Sequence, residues 1–265
     1  MERDRNRDRD RDKSDSYKRK ERSDLIFGVH AVIEAIKSDR ELNKILIQKG
    51  MNKELFLEVK EALNGKSFQL QFVPAEKMNA LTSGVHQGVI AIVTPIEYQD
   101  IEVIVNDILE AGKYANILVL DRITDVRNFG AIARTAECQG VDAILIPSKG
   151  SALVTSDAMK ASAGALNRIP VCKTDNLKNT VFFLQQSGLR IIACTEKTAY
   201  PLYEVNLRGS VAIIMGSEED GITQDLINMA DMRARIPMKG AIESLNVGIA
   251  VGMVLYEKLR QELNV

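Results

Sequence analysis

From residue 117 onward, short aliphatic runs alternate with helical segments, and this alternation constrains the fold more than any other feature of the chain. Strands are expected over 117–120, 143–146, 169–172, 190–194, 211–215 and 234–237, with helices over 130–138, 156–166, 177–186, 224–229 and 244–263. Such an order predicts an α/β architecture in which helices cover both faces of a parallel sheet. Ligands of such sheets sit at the carboxyl ends of the strands, so the loops that follow them are the places to look for chemistry.

The preceding stretch reads as a smaller α/β unit. Helices are expected over 29–36, 54–63 (closed by Asn64-Gly65) and 75–81, and strands over 44–48, 68–73 and 88–93. At roughly seventy residues it is long enough to fold by itself. The expected organisation is a charged tail at 1–23, a small domain at 24–95, a linker with one helix (103–109) at 96–113, and a larger domain at 114–265. The tail, with Arg-Asp repeated from Arg3 to Asp12, offers almost nothing apolar to bury and is expected to be disordered. It reads either as a weak RNA tether or as a solubilising segment.

Of the 265 residues, 45% are hydrophobic and 27% charged, as in globular proteins that live in water. No apolar run is long enough to span a bilayer, and the first residues are too charged for a signal peptide. Cys138, Cys172 and Cys194 stand singly without a Cys-x-x-Cys pair, which predicts reduced thiols and a cytoplasmic setting. His30 and His86 are far apart and have no ligand-spaced neighbours, so no metal site is expected. A net charge of −1 argues against an overall basic coat, although nucleic-acid binding depends on how charge is distributed.

Three loops carry distinctive residues. In Asp121-Arg-Ile-Thr-Asp-Val-Arg-Asn-Phe-Gly130, Asn128 is expected to cap a helix and Arg134 to lie about one turn inside it. There a guanidinium can hold a phosphate near the positive helix end, or simply be solvated. Gly216-Ser-Glu-Glu-Asp-Gly221 predicts a tight turn with exposed amides. Its acids would repel a pyrophosphate, so an adenosine or a cationic ligand fits better, unless it is an ordinary βα turn. The last loop runs from Ile236 past Gly240 to Ser244 and Asn246 and enters an apolar helix. Gly248, Ala250 and Gly252 in that helix suggest close backbone approach, because helical glycine costs about 1 kcal/mol relative to alanine.

Together these loops resemble the SpoU family, through Asn-x-Gly-x-x-x-Arg at 128–134, Gly-Ser-Glu-x-x-Gly at 216–221 and Ile-Pro-Met-x-Gly-x-x-x-Ser-Leu-Asn-Val at 236–247. In front of them, Phe27-Gly-Val-His-Ala-Val32 and His86-Gln-Gly-Val-Ile-Ala91 resemble the RNA-binding domain of the RlmB-type branch, which methylates a guanosine in large-subunit ribosomal RNA. The chain departs from the pattern at Val247-Gly-Ile-Ala250, where many relatives have Val-Ser-Val-Ala, and in its Arg-Asp tail.

The resemblance implies an S-adenosylmethionine-dependent RNA ribose 2′-O-methyltransferase with a C-terminal deep trefoil knot. It implies main-chain binding of the cofactor around Thr195, Gly216, Ile236, Met238 and Leu245. It also assigns hydroxyl activation to Arg134, surrounded by Asn128, Glu218, Ser244 and Asn246. Because a guanidinium stays protonated, Arg134 is expected to orient a phosphate and stabilise the developing alkoxide. Glu218 reads as an anchor for its polar neighbours or as a solvated turn residue. Ser244 and Asn246 read as site residues or as caps of the last helix, and His30 as structural or RNA-facing. The final helix is apolar around most of its circumference up to Glu257, and the resemblance implies that a second copy covers the surplus, giving a homodimer. The other readings are a transfer-RNA ribose methyltransferase, which the front domain counts against, and a non-catalytic RNA-binding assembly factor, which has no need for the full residue set.

Overall fold

The computed structural model describes residues 24–38, 40–63, 68–241 and 244–263. The charged tail and the helix end expected at Asn64-Gly65 lie outside the described residues. The chain divides into a smaller unit, 1–38 with 44–92, and a larger one, 39–43 with 93–265.

The smaller unit comprises β1 (Leu25–Phe27), α1 (Val29–Lys37), β2 (Leu42–Gln48), α2 (Lys53–Ala62), β3 (Leu70–Val73), α3 (Ala75–Leu81) and β4 (Val89–Val93). Its strands lie in the order β1-β4-β2-β3, with β1 antiparallel to β4 and β2 parallel to β3. At three residues, β1 is too short to show a period and was not expected. The two front motifs form one assembly. Gly28 N donates to Val89 O at 3.2 Å, and Gln87 Oε1 accepts from Val29 N at 3.0 Å, which satisfies an orphan amide at the start of α1. His86 Nδ1 accepts from Gly88 N at 3.0 Å while Nε2 meets Asn79 Oδ1 at 2.9 Å, so the ring is held from both sides. His30 is exposed on α1.

The larger unit runs α4 (Ile101–Glu110), β5 (Asn116–Asp121), α5 (Val126–Cys138), β6 (Ala143–Pro147), α6 (Ser156–Ala161), β7 (Val171–Thr174), α7 (Leu177–Gln186), β8 (Arg190–Cys194), β9 (Val211–Gly216), α8 (Gln224–Met229), β10 (Met232–Ala234) and α9 (Val247–Leu263). Its six strands are all parallel, in the order β10-β8-β9-β5-β6-β7. Both faces are covered. Leu118 and Leu120 join the core beneath α5 and α9, while Ile117 and Val119 join the core beneath α4, α7 and α8. All four are fully buried, and each such side chain contributes about 1.5–3 kcal/mol over an exposed one.

Several expected boundaries move. The segment expected to act as a linker carries α4, whose Ile101 and Val105 are buried against the sheet. α5 begins four residues before the expected start, because Asp125 is the cap and accepts from Asn128 N at 2.7 Å. Asn128 therefore lies in the first turn, and Arg134 sits more than two turns inside, beyond the short reach of the helix end. α6 ends at Ala161 where Ala163 and Gly164 adopt φ of 50° and 88°. α9 starts at Val247, with Ser244 ahead of it. Among the described residues no helix is long and apolar enough to cross a membrane.

Candidate active site

The loops after β5, β8 and β9 and the approach to α9 converge at the carboxyl edge of the sheet, on two adjoining cavities. One, of about 490 Å³, is lined by all five residues expected at a cofactor, Thr195, Gly216, Ile236, Met238 and Leu245, and by Ser244. The other, of about 380 Å³, is lined by Asn128, Asp125 and Arg122 among others. Ser217, Glu218, Glu219, Asp220 and Val247 border both.

Glu218 organises the shared wall. Its Oε1 accepts from Asn246 Nδ2 at 2.9 Å, Asn128 Nδ2 at 3.1 Å and Val247 N at 3.1 Å. Asn246 Nδ2 also donates to Asn128 Oδ1 at 3.1 Å. Asn246 Oδ1 in turn accepts from Gly248 N at 3.0 Å and Ile249 N at 3.4 Å, which caps α9. Asn246 is therefore the cap of α9 and at the same time a donor to Glu218 and Asn128, and Glu218 is an anchor whose oxygen is saturated by donors. Hydrogen bonds to an ionised acceptor are the stronger kind, but all three side chains retain access to water.

The turn that presents Glu218 is closed on itself. A Cβ at Gly216 would fall 2.1 Å from Gly221 C, so only glycine fits there. Asp121 holds the far end of the turn, its buried Oδ2 accepting from Thr223 N at 2.6 Å and from Thr223 Oγ1.

The larger cavity is lined by apolar Met215, Ile236, Leu245 and Ala250, and by the exposed acids Glu196, Glu218, Glu219 and Asp220, which outnumber its one cation, Lys197. Ile236, Met238 and Leu245 have no hydrogen-bond partner among the described residues, so their main-chain groups are available to a ligand. Its size suits a small-molecule site. An apolar lining, uncommitted amides and carbonyls, and exposed acids fit a nucleoside that carries a positive charge. Cys194, which lines the cavity, was not anticipated; burial pushes its thiol up to about 12. Ala250 was anticipated only as a small residue, and it leaves room in the cavity. Among the described residues no cluster of three or more His, Cys, Asp or Glu has metal-binding geometry.

Arg134 stands apart. It is exposed on α5 and lines neither cavity, and its side chain has no hydrogen bond or ion pair among the described residues. The small residues of α9 do not all mark the close backbone approach expected of them. Gly248 and Gly252 face Ala131 and Thr135 of α5, and a Cβ at Gly252 would meet Thr135 Cγ2 at an ordinary 3.7 Å. The tighter approach is at Gly130 of α5, where a Cβ would lie 2.5 Å from Ala161 Cβ and 2.8 Å from Ala158 O.

Residues 115–256 match the SpoU rRNA Methylase family, and residues 25–99 match a family described as RNA 2′-O ribose methyltransferase substrate binding. A Staphylococcus epidermidis protein assigned to the TrmH family of tRNA/rRNA methyltransferases is 34% identical over 237 residues, 89% of this chain and 95% of its own. The crystal structure of the SpoU methyltransferase AviRb from Streptomyces viridochromogenes, in complex with the cofactor AdoMet, has a TM-score of 0.58 at 19% identity and covers 91% of each chain. A structure described as an RNA 2′-O ribose methyltransferase has a TM-score of 0.54 at 26% identity, over 90% of this chain and 88% of that one. The chain belongs to the SpoU rRNA methylase family and is accordingly an RNA methyltransferase.

Proposed function

We propose that this chain transfers a methyl group from S-adenosylmethionine to the ribose 2′-hydroxyl of a guanosine in large-subunit ribosomal RNA, as an RlmB-type enzyme. The observation that carries the reading is the Asn128–Glu218–Asn246 contact on the wall shared by the two cavities. A binding module has no use for a constellation that joins a cofactor-sized cavity to a second, polar one.

When bound, S-adenosylmethionine supplies an electrophilic methyl on a sulfonium. The main chains of Ile236, Met238 and Leu245, with Thr195 and Gly216, hold its nucleoside in the 490 Å³ cavity, and the lining acids favour its positive charge. Asn128, Glu218, Ser244 and Asn246 form the polar side on which the ribose rests. Arg134, whose guanidinium is uncommitted and lines neither cavity of the single chain, would orient the RNA phosphate and stabilise the developing alkoxide once the bound RNA lies against α5. The hydroxyl proton leaves to phosphate or water, since guanidinium does not act as a base.

In this reading residues 24–95 select the RNA, and residues 114–265 form the catalytic domain with its trefoil knot. The exposed residues Ile249, Met253 and Tyr256 recur along one side of α9, at 59%, 44% and 61% exposure, and support a homodimer across that face. The enzyme acts in the cytoplasm, a reading supported by its three free cysteines.

The test combines the purified full chain with tritiated S-adenosylmethionine and either a large-subunit ribosomal RNA transcript or total transfer RNA. Label on the ribosomal transcript, mapped to a guanosine 2′-oxygen, is the expected result. Label on transfer RNA alone would replace the substrate assignment. Absence of cofactor binding by calorimetry would reject the enzyme reading and favour an assembly factor.

A further inference from the structure

We propose that Arg122 is a positioning residue, whose guanidinium latches the turn after β5 to the turn after β9 and so holds Glu218 on the wall between the two cavities. The proposal rests on the methyltransferase reading above.

Arg122 adopts φ of 61°, a left-handed conformation uncommon for residues with a Cβ. Glycine would sit there without strain, so an arginine at this position points to its side chain. All three guanidinium nitrogens have protein partners. Nε meets Asp121 Oδ1 at 3.3 Å, Nη1 meets Asp220 Oδ2 at 3.0 Å, and Nη2 donates to Gly221 O at 3.1 Å.

Asp121 adds its grip on Thr223, so the adjacent residues Asp121 and Arg122 hold the 220–223 segment at three positions. The exposed pair with Asp220 is worth little alone. The bidentate hold on Asp220 and Gly221, anchored on a buried carboxylate, is what fixes geometry.

The latched segment is the second half of the turn that carries Glu218. Ser217 pairs with Gly221, and Ser217 Oγ accepts from Asp220 N at 3.1 Å, so a shift at 220–221 is transmitted to 217–218. Charge points the same way. The 380 Å³ cavity is lined by Asp125, Glu218, Glu219 and Asp220, and Arg122 is the sole basic residue lining it among the described residues. Without it, these acids repel one another and the turn opens away from Asn246 and Val247. Since its nitrogens are committed to protein, Arg122 differs from Arg134, whose donors are uncommitted.

Arg122→Gly separates positioning from stability, because it removes the latch and the backbone strain together. The expected result is a folded protein with Tm close to wild type. Its kcat on a large-subunit ribosomal RNA transcript should fall about tenfold to a hundredfold at saturating RNA, with affinity for S-adenosylmethionine in calorimetry weakened about threefold or more. Arg122→Lys keeps the charge without the fork and should not restore kcat. Wild-type kcat and cofactor affinity in Arg122→Gly would overturn the proposal, as would failure of that variant to fold. A raised KM for RNA with unchanged kcat and a shallower salt dependence would also overturn it, marking a phosphate ligand instead. If the wild-type chain labels no RNA, the functional reading fails, while the calorimetric comparison still decides whether Arg122 supports the cofactor cavity.

Discussion

Glu218 Oε1 lies 2.9 Å from Asn246 Nδ2, and the same oxygen accepts the amide of Val247 at 3.1 Å. The start of α9 is thus built around a carboxylate from the turn after β9. Asn246 works in two directions, its amide donating to the site and its oxygen capping the helix.

Two substitutions separate these roles. Asn246→Ala removes both and should lower stability by about 1 kcal/mol. Asn246→Asp keeps an acceptor for Gly248 but loses the donor and faces Glu218, so kcat should fall at least about tenfold while stability stays within roughly 1 kcal/mol of wild type. Urea melts and single-turnover methylation measure the two effects. Wild-type turnover in Asn246→Asp would reduce Asn246 to a cap.

Glycines in the last third of the chain divide sharply. At Gly216 a Cβ would overlap Gly221 C at 2.1 Å, so Gly216→Ala should cost about 2–4 kcal/mol or prevent folding. Gly252→Ala meets only an ordinary 3.7 Å contact and should stabilise α9 by about 0.5–1 kcal/mol. Thermal unfolding of the pair checks both signs.

Met253 and Leu255 are two residues apart on α9 yet face opposite ways, at 44% and 1% exposure. Met253→Asp should therefore give a folded monomer with reduced methylation, because the charge is placed twice in a two-fold interface. Leu255→Asp buries an unpaired charge in the core and should unfold the chain at a cost of several kcal/mol. Sedimentation with circular dichroism distinguishes the outcomes. A wild-type monomer at micromolar concentration with full activity would rule out the dimer.

Lys173 supplies a pH signature. Burial lowers its pKa from 10.5 to about 8, partly opposed by Glu41, and its ammonium lies 3.6 Å from the Tyr98 ring centroid. The folded protein gives up this proton at lower pH than the unfolded chain. The destabilising contribution is complete below about pH 8 and relieved as pH rises toward 10.5, so stability should increase across that window. Lys173→Met should flatten the rise. Urea melts at about pH 7 and about pH 9.5 test this while the Tyr98 phenol, raised by burial, stays protonated. An identical slope in the variant would assign the effect elsewhere.

The alternation of strands and helices, the loops worth examining and the five residues of the cofactor-sized cavity were legible in the sequence, because period and motif spacing are local properties of the chain. Thr195, Gly216, Ile236, Met238 and Leu245 do line one cavity, and Asn128, Glu218 and Asn246 do meet. What local pattern could not separate, tertiary structure decided. Asp125 and Asn128 are equally good caps by type, and only the chain's entry into α5 selects Asp125. Met253 and Leu255 are equally apolar, and only the packing of α9 on the sheet turns one outward. The helix in the expected linker belongs to the core because Ile101 and Val105 find the sheet there. Arg122 gave no signal at all, since its left-handed backbone and its three partners exist only once Asp121 and the 220–223 segment, a hundred residues apart in the chain, are brought together at adjacent strand ends. Composition and spacing determine which elements form; strand order and side-chain packing determine which residues touch.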